Sequence, residues 1–330
     1  VTLEPAVEML WEDADPPVVL AERFGFDSAG AAANWVAGAL SSRYSLAPDA
    51  CDRIILSDGN ALAWVTCDGE PFIAKWSVVP DRFARLAATA RLTTWLGDRG
   101  HPVSAPVAAL DGRTQLELDG ISLSVQRVAP GQHLDVGDLQ LVREAGATLA
   151  RLHADLAAYH DAADFPRPRT PALSSKESIE AWAAGDLQHL PADAVRLLVR
   201  MLANVSDAQP PAHLVHGDYR SANILTRDGE ITAVLDFEEL RFDSPVGELA
   251  RSAVMLGTLF HGWEPVSPAV HRAFKDGYED VRALSEDESR WWPLLTLWWS
   301  LLMVPAGDDP TGWGAATDEM ARRLTRDTEC

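Results

Sequence analysis

Residues 214–239 read LVHGDYRSANILTRDGEITAVLDFEE, and no other stretch constrains the fold as tightly. Two apolar segments, Ile224-Leu225 and residues 231–235, are split by Asp228-Gly229, a two-residue sequence that favours a tight hairpin. Closing that hairpin sets Asn223 beside Asp236. Upstream, His216, Asp218 and Asn223 form an H-x-D-x-x-x-x-N arrangement. Phosphoryl transfer needs such a set: one carboxylate to orient an attacking hydroxyl, a carboxamide oxygen to ligate Mg²⁺, and a second metal ligand, here Asp236.

The 330 residues are 47% hydrophobic, enough for a sizeable core and for two lobes. With 28 basic and 49 acidic residues the formal charge is −21, which disfavours nucleic acid as a partner and attracts cationic ligands, besides keeping the chain soluble. Cys51, Cys67 and Cys330 are odd in number and widely spaced, arguing against a disulfide framework or zinc site. The acidic start, without an apolar run, does not read as a signal peptide, and residues 291–304 are too short to span a bilayer. A cytoplasmic protein with no membrane partner is expected.

Asp27 or Ser28 can cap a helix to about Tyr44, with Trp35, Val36, Ala39 and Leu40 on one face. Strands are expected at 53–56, 61–66 and 71–76, a helix at 82–96, and a hairpin around Asp119-Gly120 with strands 115–118 and 122–128. From 139–159 onward the pattern is mostly helical apart from the motif hairpin, with a surface loop at 165–171 and a helical insert at 174–202. The expected organisation is an N-terminal helical extension over 1–50, a first lobe over 51–128 and a second over 129–330.

HGDYRSANIL followed by LDFEE resembles the aminoglycoside phosphotransferase and choline kinase group. Within it the branch with homoserine kinase type II and the stress-response kinases is most similar. The resemblance implies an α+β, protein-kinase-like fold with a small antiparallel-sheet N-lobe that binds nucleotide and a larger, mainly helical C-lobe. It implies ATP and Mg²⁺ as cofactors and a small-molecule hydroxyl as acceptor. By it Asp218 is the catalytic base, Asn223 and Asp236 hold the metal, and His216 braces the loop. Arg220 either neutralises charge on the transferring group or makes a structural salt bridge.

Lys75, in Phe72-Ile73-Ala74-Lys75, matches the strand lysine that grips the ATP phosphates, and Ser57-Asp58-Gly59-Asn60 matches a loop covering them, through Ser57 and Gly59. The adenine is expected between the lobes, on backbone groups near Gln126, Arg127 and Val128. One departure stands out. The helix at 82–96 has no acid to pair with Lys75, and Thr89 or a neighbour occupies the expected position. Either Asp58 or Asp81 orients the lysine, or the phosphate grip is weakened.

Asp243 and Glu248 read as structural braces, and His153 as a satisfied core histidine. The pairs Trp291-Trp292 and Trp298-Trp299 read as core, or as a stacking face for a cationic acceptor assisted by Glu239, Asp308 or Asp309. Glu239 is the candidate substrate contact. The acceptor stays open among an aminoglycoside or other antibiotic, an amino sugar, an amino alcohol such as homoserine, and protein serine. A kinase-fold regulatory protein without turnover is the reading from a different class.

Overall fold

The structure, a computed structural model, describes residues 4–166, 172, 174–206 and 211–329. The chain divides into two compact units, Val1–Pro130 and Gly131–Cys330.

The first unit is built on β1 (Ala6–Met9), α1 (Pro16–Glu22), α2 (Ala29–Ala39), β2 (Pro48–Leu56), β3 (Asn60–Cys67), β4 (Glu70–Ser77), α3 (Pro80–Asp98), β5 (Leu116–Leu118) and β6 (Ile121–Arg127). The strands form one sheet in the order β1-β2-β3-β4-β6-β5, antiparallel except where β1 joins β2. Two of its hairpins turn on Asp-Gly, with both residues at positive φ: Asp68 at 51° and Gly69 at 79°, Asp119 at 53° and Gly120 at 80°. This is the type I′ geometry that matches the strand twist. On β4, Phe72, Ala74 and Trp76 are buried while Ile73 and Lys75 alternate with them. Trp76 meets Phe24, Phe26 and Trp35, with ring centroids 6.0–6.4 Å apart.

Ser28 caps α2, its hydroxyl accepting from Ala31 N at 3.1 Å, and a π-helical turn, Leu40–Tyr44, ends that segment. Val36, Leu40 and Tyr44 thereby enter the same core as the sheet. The segment before residue 51 thus contributes a strand as well as helices, because the short alternating run Ala6–Met9 finds an open edge on β2.

In the second unit, β7 (Gln132–His133), α4 (Leu139–Ala158), α5 (Lys176–Ala183), α6 (Ala192–Asn204), β8 (His213–Val215), β9 (Ile224–Arg227), β10 (Glu230–Val234), β11 (Arg241–Asp243), α7 (Pro245–Met255), α8 (Pro268–Val281), α9 (Glu286–Leu302) and α10 (Trp313–Glu329) follow in order. The small sheets, β10-β9-β7 and β11-β8, frame the motif. Helix α4 lies against α8 through a reciprocal pair of glycines. A Cβ on Gly146 would sit 2.0 Å from Phe274 O, and one on Gly277 1.8 Å from Arg143 O, so only glycines allow this backbone approach.

Trp291, Trp298 and Trp299 are buried among residues of α5, α6, α7 and α10, and Trp292 packs partly buried against the same cluster. Of the expected surface loop at 165–171, Phe165 is buried, edge-on to Tyr159, and residues 167–171 lie outside the described ones, as does Cys330. Cys51 and Cys67 are free and buried. Among the described residues no helix is long and apolar enough to cross a membrane.

Candidate active site

The motif folds as a loop between two pairings. Strand β8 delivers His216, which is fully buried. Its backbone N–H donates to Glu248 Oε2 (2.9 Å), its Nε2 to Leu235 O (2.9 Å), and its Nδ1 accepts from Asp218 N (3.2 Å). Burial pushes the imidazole pKa down, keeping the neutral ring that these partners require. The Gly217 N–H donates to Glu248 Oε1, and its carbonyl accepts from Arg241 (2.8 Å) and Arg251 (2.7 Å). At φ +87°, with a Cβ position only 2.0 Å from Glu239 O, residue 217 has to be glycine.

Asp218 follows, half-buried. Its Oδ2 accepts from Arg220 Nε and Asn223 Nδ2, each at 2.9 Å, and its Oδ1 from Arg251 Nη2 at 3.2 Å. Burial pushes this carboxyl up, but the charges of Arg220 and Arg251 outweigh it and hold the group below the usual carboxylate range. Arg220 is anchored in turn by Leu259 O (2.7 Å) and Thr258 O (3.3 Å), and its guanidinium lies 5.5 Å from the centroid of the exposed Trp263.

Asn223 ends a 3₁₀ turn, Ser221–Asn223, and its Nδ2 also donates to Asp218 O at 2.8 Å. Both amide hydrogens are thus spent on residue 218, leaving Oδ1 as the atom able to ligate a cation. The hairpin β9–β10 turns on Asp228 (φ 55°) and Gly229 (φ 85°), then returns so that Leu235 N donates to Asn223 O at 2.8 Å. Asp236 comes next, exposed and in the left-handed region (φ 58°, ψ 69°), an unusual conformation for a non-glycine. The hard oxygens of Asn223 and Asp236 suit Mg²⁺, which characteristically takes one or two protein ligands plus phosphate oxygens. Among the described residues no three His, Cys, Asp or Glu gather into a group that could hold a metal ion.

The structure therefore joins Asp218, Arg220 and Asn223 by direct hydrogen bonds and ties Asp236 to them through the hairpin. Glu239 ends the next 3₁₀ turn, Phe237–Glu239, with its backbone packed beneath Gly217 and its side chain exposed. Asp309 caps α10, accepting from the backbone N–H groups of Gly312, Trp313 and Gly314. Glu248 braces the loop through the N–H groups of His216 and Gly217, as expected from the sequence, and Arg241 and Arg251, to which the sequence assigned no role, hold the Gly217 carbonyl. Arg251 stands three residues after Glu248, on the same face of α7, which is the spacing that would have flagged it.

In the first unit Lys75 pairs across β4 with Leu62 and Ser124, and Gln126 sits opposite Ile73, so Lys75 and Gln126 share a sheet face. Gln126 Oε1 accepts from Ser104 Oγ (3.2 Å), and Val128 N–H is committed to Pro71 O (3.1 Å). Ser57 closes its own turn onto Asn60 O, by N–H at 2.9 Å and hydroxyl at 3.1 Å. The Gly59 carbonyl accepts from Ser77 Oγ (2.8 Å), and a Cβ there would meet Val79 Cγ2 at 2.5 Å. Asp58, named as a substitute partner for Lys75, pairs with Arg82 at 2.9 Å. Thr89 is buried in α3, its hydroxyl without a hydrogen-bond partner among the described residues.

Residues 57–290 match the Phosphotransferase enzyme family, APH. The chain belongs to this family. A homoserine kinase from a Caulobacter species is 28% identical over 210 residues, covering 62% of this chain and 63% of that relative, so the chain spans less than two thirds of the curated relative's length. The macrolide 2′-phosphotransferase MphH from Brachybacterium faecium superposes with a TM-score of 0.56 at 19% identity, over 88% of this chain and 96% of the other. A microcompartment-associated aminopropanol kinase does so with a TM-score of 0.55 at 17% identity, over 88% and 94%. The fold is accordingly the α+β, protein-kinase-like fold of this family.

Proposed function

We propose that the protein is an ATP- and Mg²⁺-dependent phosphotransferase acting on a hydroxyl of a small molecule. The observation that carries the reading is the closed set Asp218–Asn223–Leu235, in which an orienting carboxylate is bonded to one metal ligand and the backbone next to the other. In this reading the acceptor hydroxyl donates to Asp218 Oδ1. Its oxygen forms the new bond to the γ-phosphorus, the bond to the β-phosphate oxygen breaks, and the hydroxyl proton passes to Asp218. With its pKa held low, Asp218 is a weak base, so its main contribution is orientation, as the loose transition state of phosphoryl transfer allows. Asn223 and Asp236 would hold Mg²⁺, which supplies charge neutralisation on the phosphates. Arg220 adds positive charge beside the reacting group, and Lys75, with the turn at Ser57 and Gly59 and the backbone near Gln126 and Val128, would bind the nucleotide.

For the acceptor, the net charge of −21 favours a cation. Homoserine, aminopropanol and aminoglycosides, named for a relative and for solved structures of similar fold, all combine a hydroxyl with an amine. We therefore read the substrate as an amino alcohol, from a metabolite to an amino-sugar antibiotic. The test is ADP formation with Mg²⁺ across homoserine, aminopropanol, choline, kanamycin, erythromycin and a generic protein substrate. Turnover with one amine-bearing alcohol, abolished in Asp218→Ala, is the expected result. Turnover that survives Asp218→Ala, or nucleotide binding without transfer to any acceptor, would contradict it, the latter favouring a regulatory role.

A further inference from the structure

Glu248 holds the two backbone N–H groups that shape the motif loop, yet it is a buried carboxylate whose own position has to be fixed. The structure shows what fixes it. His153 on α4 meets Glu248 Oε2 through Nε2 at 2.8 Å, and its Nδ1 lies 2.8 Å from Tyr278 Oη on α8. Tyr278 Oη accepts from Arg282 Nη1 at 3.3 Å, and Arg282 Nη2 donates to Glu288 Oε1 at 2.6 Å. Glu288 is locked as the capping-box residue of α9, accepting from Ser285 N at 2.9 Å. His153, Tyr278, Glu248 and Glu288 are all nearly inaccessible to solvent.

The chain of bonds has one direction. Arg282 can only donate, and Glu248, already accepting two backbone N–H groups, can only accept. With a neutral imidazole, Tyr278 O–H donates to His153 Nδ1, and His153 Nε2–H donates to Glu248. Every link then has one donor and one acceptor, which is how a buried polar network is stable rather than costly. The reciprocal glycines Gly146 and Gly277 bring α4 and α8 close enough for this bond between helices.

We propose that His153 and Tyr278 are positioning residues of the motif loop: the line from Glu288 through Arg282, Tyr278 and His153 sets the orientation of Glu248, and Glu248 sets the backbone on which Asp218 stands. Its consequence for turnover rests on the phosphotransferase reading; its consequence for the loop does not. Tyr278→Phe removes a single oxygen from the line and His153→Leu cuts it beside Glu248. His153→Gln offers an amide N–H near the place of Nε2.

The experiment measures amide exchange of His216 and Gly217 alongside steady-state kinetics with ATP and the best acceptor of the panel. In both Tyr278→Phe and His153→Leu, protection at His216 and Gly217 should fall about 10-fold or more while the β9–β10 ladder keeps its protection. The kcat should fall about 10- to 100-fold with little change in KM for ATP. The double variant should be no worse than His153→Leu alone, since both cut one line, and His153→Gln should recover part of the loss. Unchanged protection at His216 and Gly217, or additive losses in the double variant, would overturn the proposal. If the wild-type protein transfers no phosphate, the exchange result still decides the positioning role, and the phosphotransferase reading fails separately.

Discussion

Gly217 and Gly59 each sit where a methyl group would collide with a neighbour, and they differ in what that neighbour is. Gly217 has its own backbone tied by Glu248, Arg241 and Arg251, and beyond it lies the backbone carbonyl of Glu239. Beyond Gly59 lies a methyl of Val79, a side chain at the start of α3. The motif loop is held by directional polar bonds whose atoms have nowhere to go. The sheet that carries Lys75 is held by packing around Trp76, which can readjust. A reacting group needs the first kind of support, because an error of about 1 Å at the carboxylate can cost 10²-fold in rate. Under the proposed function, a strand whose lysine would meet flexible phosphates can rely on the second.

The contrast predicts unequal damage. Asp218→Ala should lower turnover by about 10³-fold or more with ATP affinity retained, which steady-state kinetics and nucleotide titration would separate. Gly217→Ala should cost more than about 3 kcal/mol of unfolding free energy in urea, through backbone collision and loss of a positive-φ residue. Gly59→Ala, against a movable methyl, should cost about 1–2 kcal/mol. Equal losses in the two glycine variants would erase the distinction.

Acid should weaken the motif region ahead of the sheet. His216 is neutral when folded, its pKa lowered by burial from an ordinary 6.5, so the unfolded chain takes up a proton first as pH falls and stability drops below about that pH. Glu248 follows. Burial pushes its carboxyl up, but the bond from His153 and the charge of Arg241 help bring it down to about 2, so its contribution is lost between about 4.5 and 2. Asp243, raised by burial, works in the opposite sense. Amide protection in 214–248 should therefore fall between pH 7.5 and 5 while the β3–β4 ladder changes little; a uniform fall would contradict this. The smallest effect belongs to Thr89→Val. That hydroxyl has no partner among the described residues, so replacing it by a methyl of similar shape should be neutral or slightly stabilising in the same urea assay.

How far the sequence foretold these differences depends on the range of the interactions. The three Asp-Gly hairpins and the H-x-D-x-x-x-x-N loop were legible because each is closed by residues within about a dozen positions. Arg251 was not, since its bond to Asp218 spans 33 residues and becomes visible only when α7 is folded against the loop. The line through His153 and Tyr278 spans 125 residues and depends on two glycines that let helices touch. Strand β1 is four residues whose partner lies beyond two helices, and β8 and β11 are three residues each, too short for periodicity to declare.

The central claim is that the hairpin carries a metal-binding pair to an orienting carboxylate. Its most direct test is calorimetric titration of ATP with and without Mg²⁺ into the wild-type protein, Asp218→Ala and Asp236→Ala. The account predicts Mg²⁺-enhanced ATP binding in the wild type and in Asp218→Ala, and loss of that enhancement in Asp236→Ala. Mg²⁺-enhanced binding that survives unchanged in Asp236→Ala would contradict it.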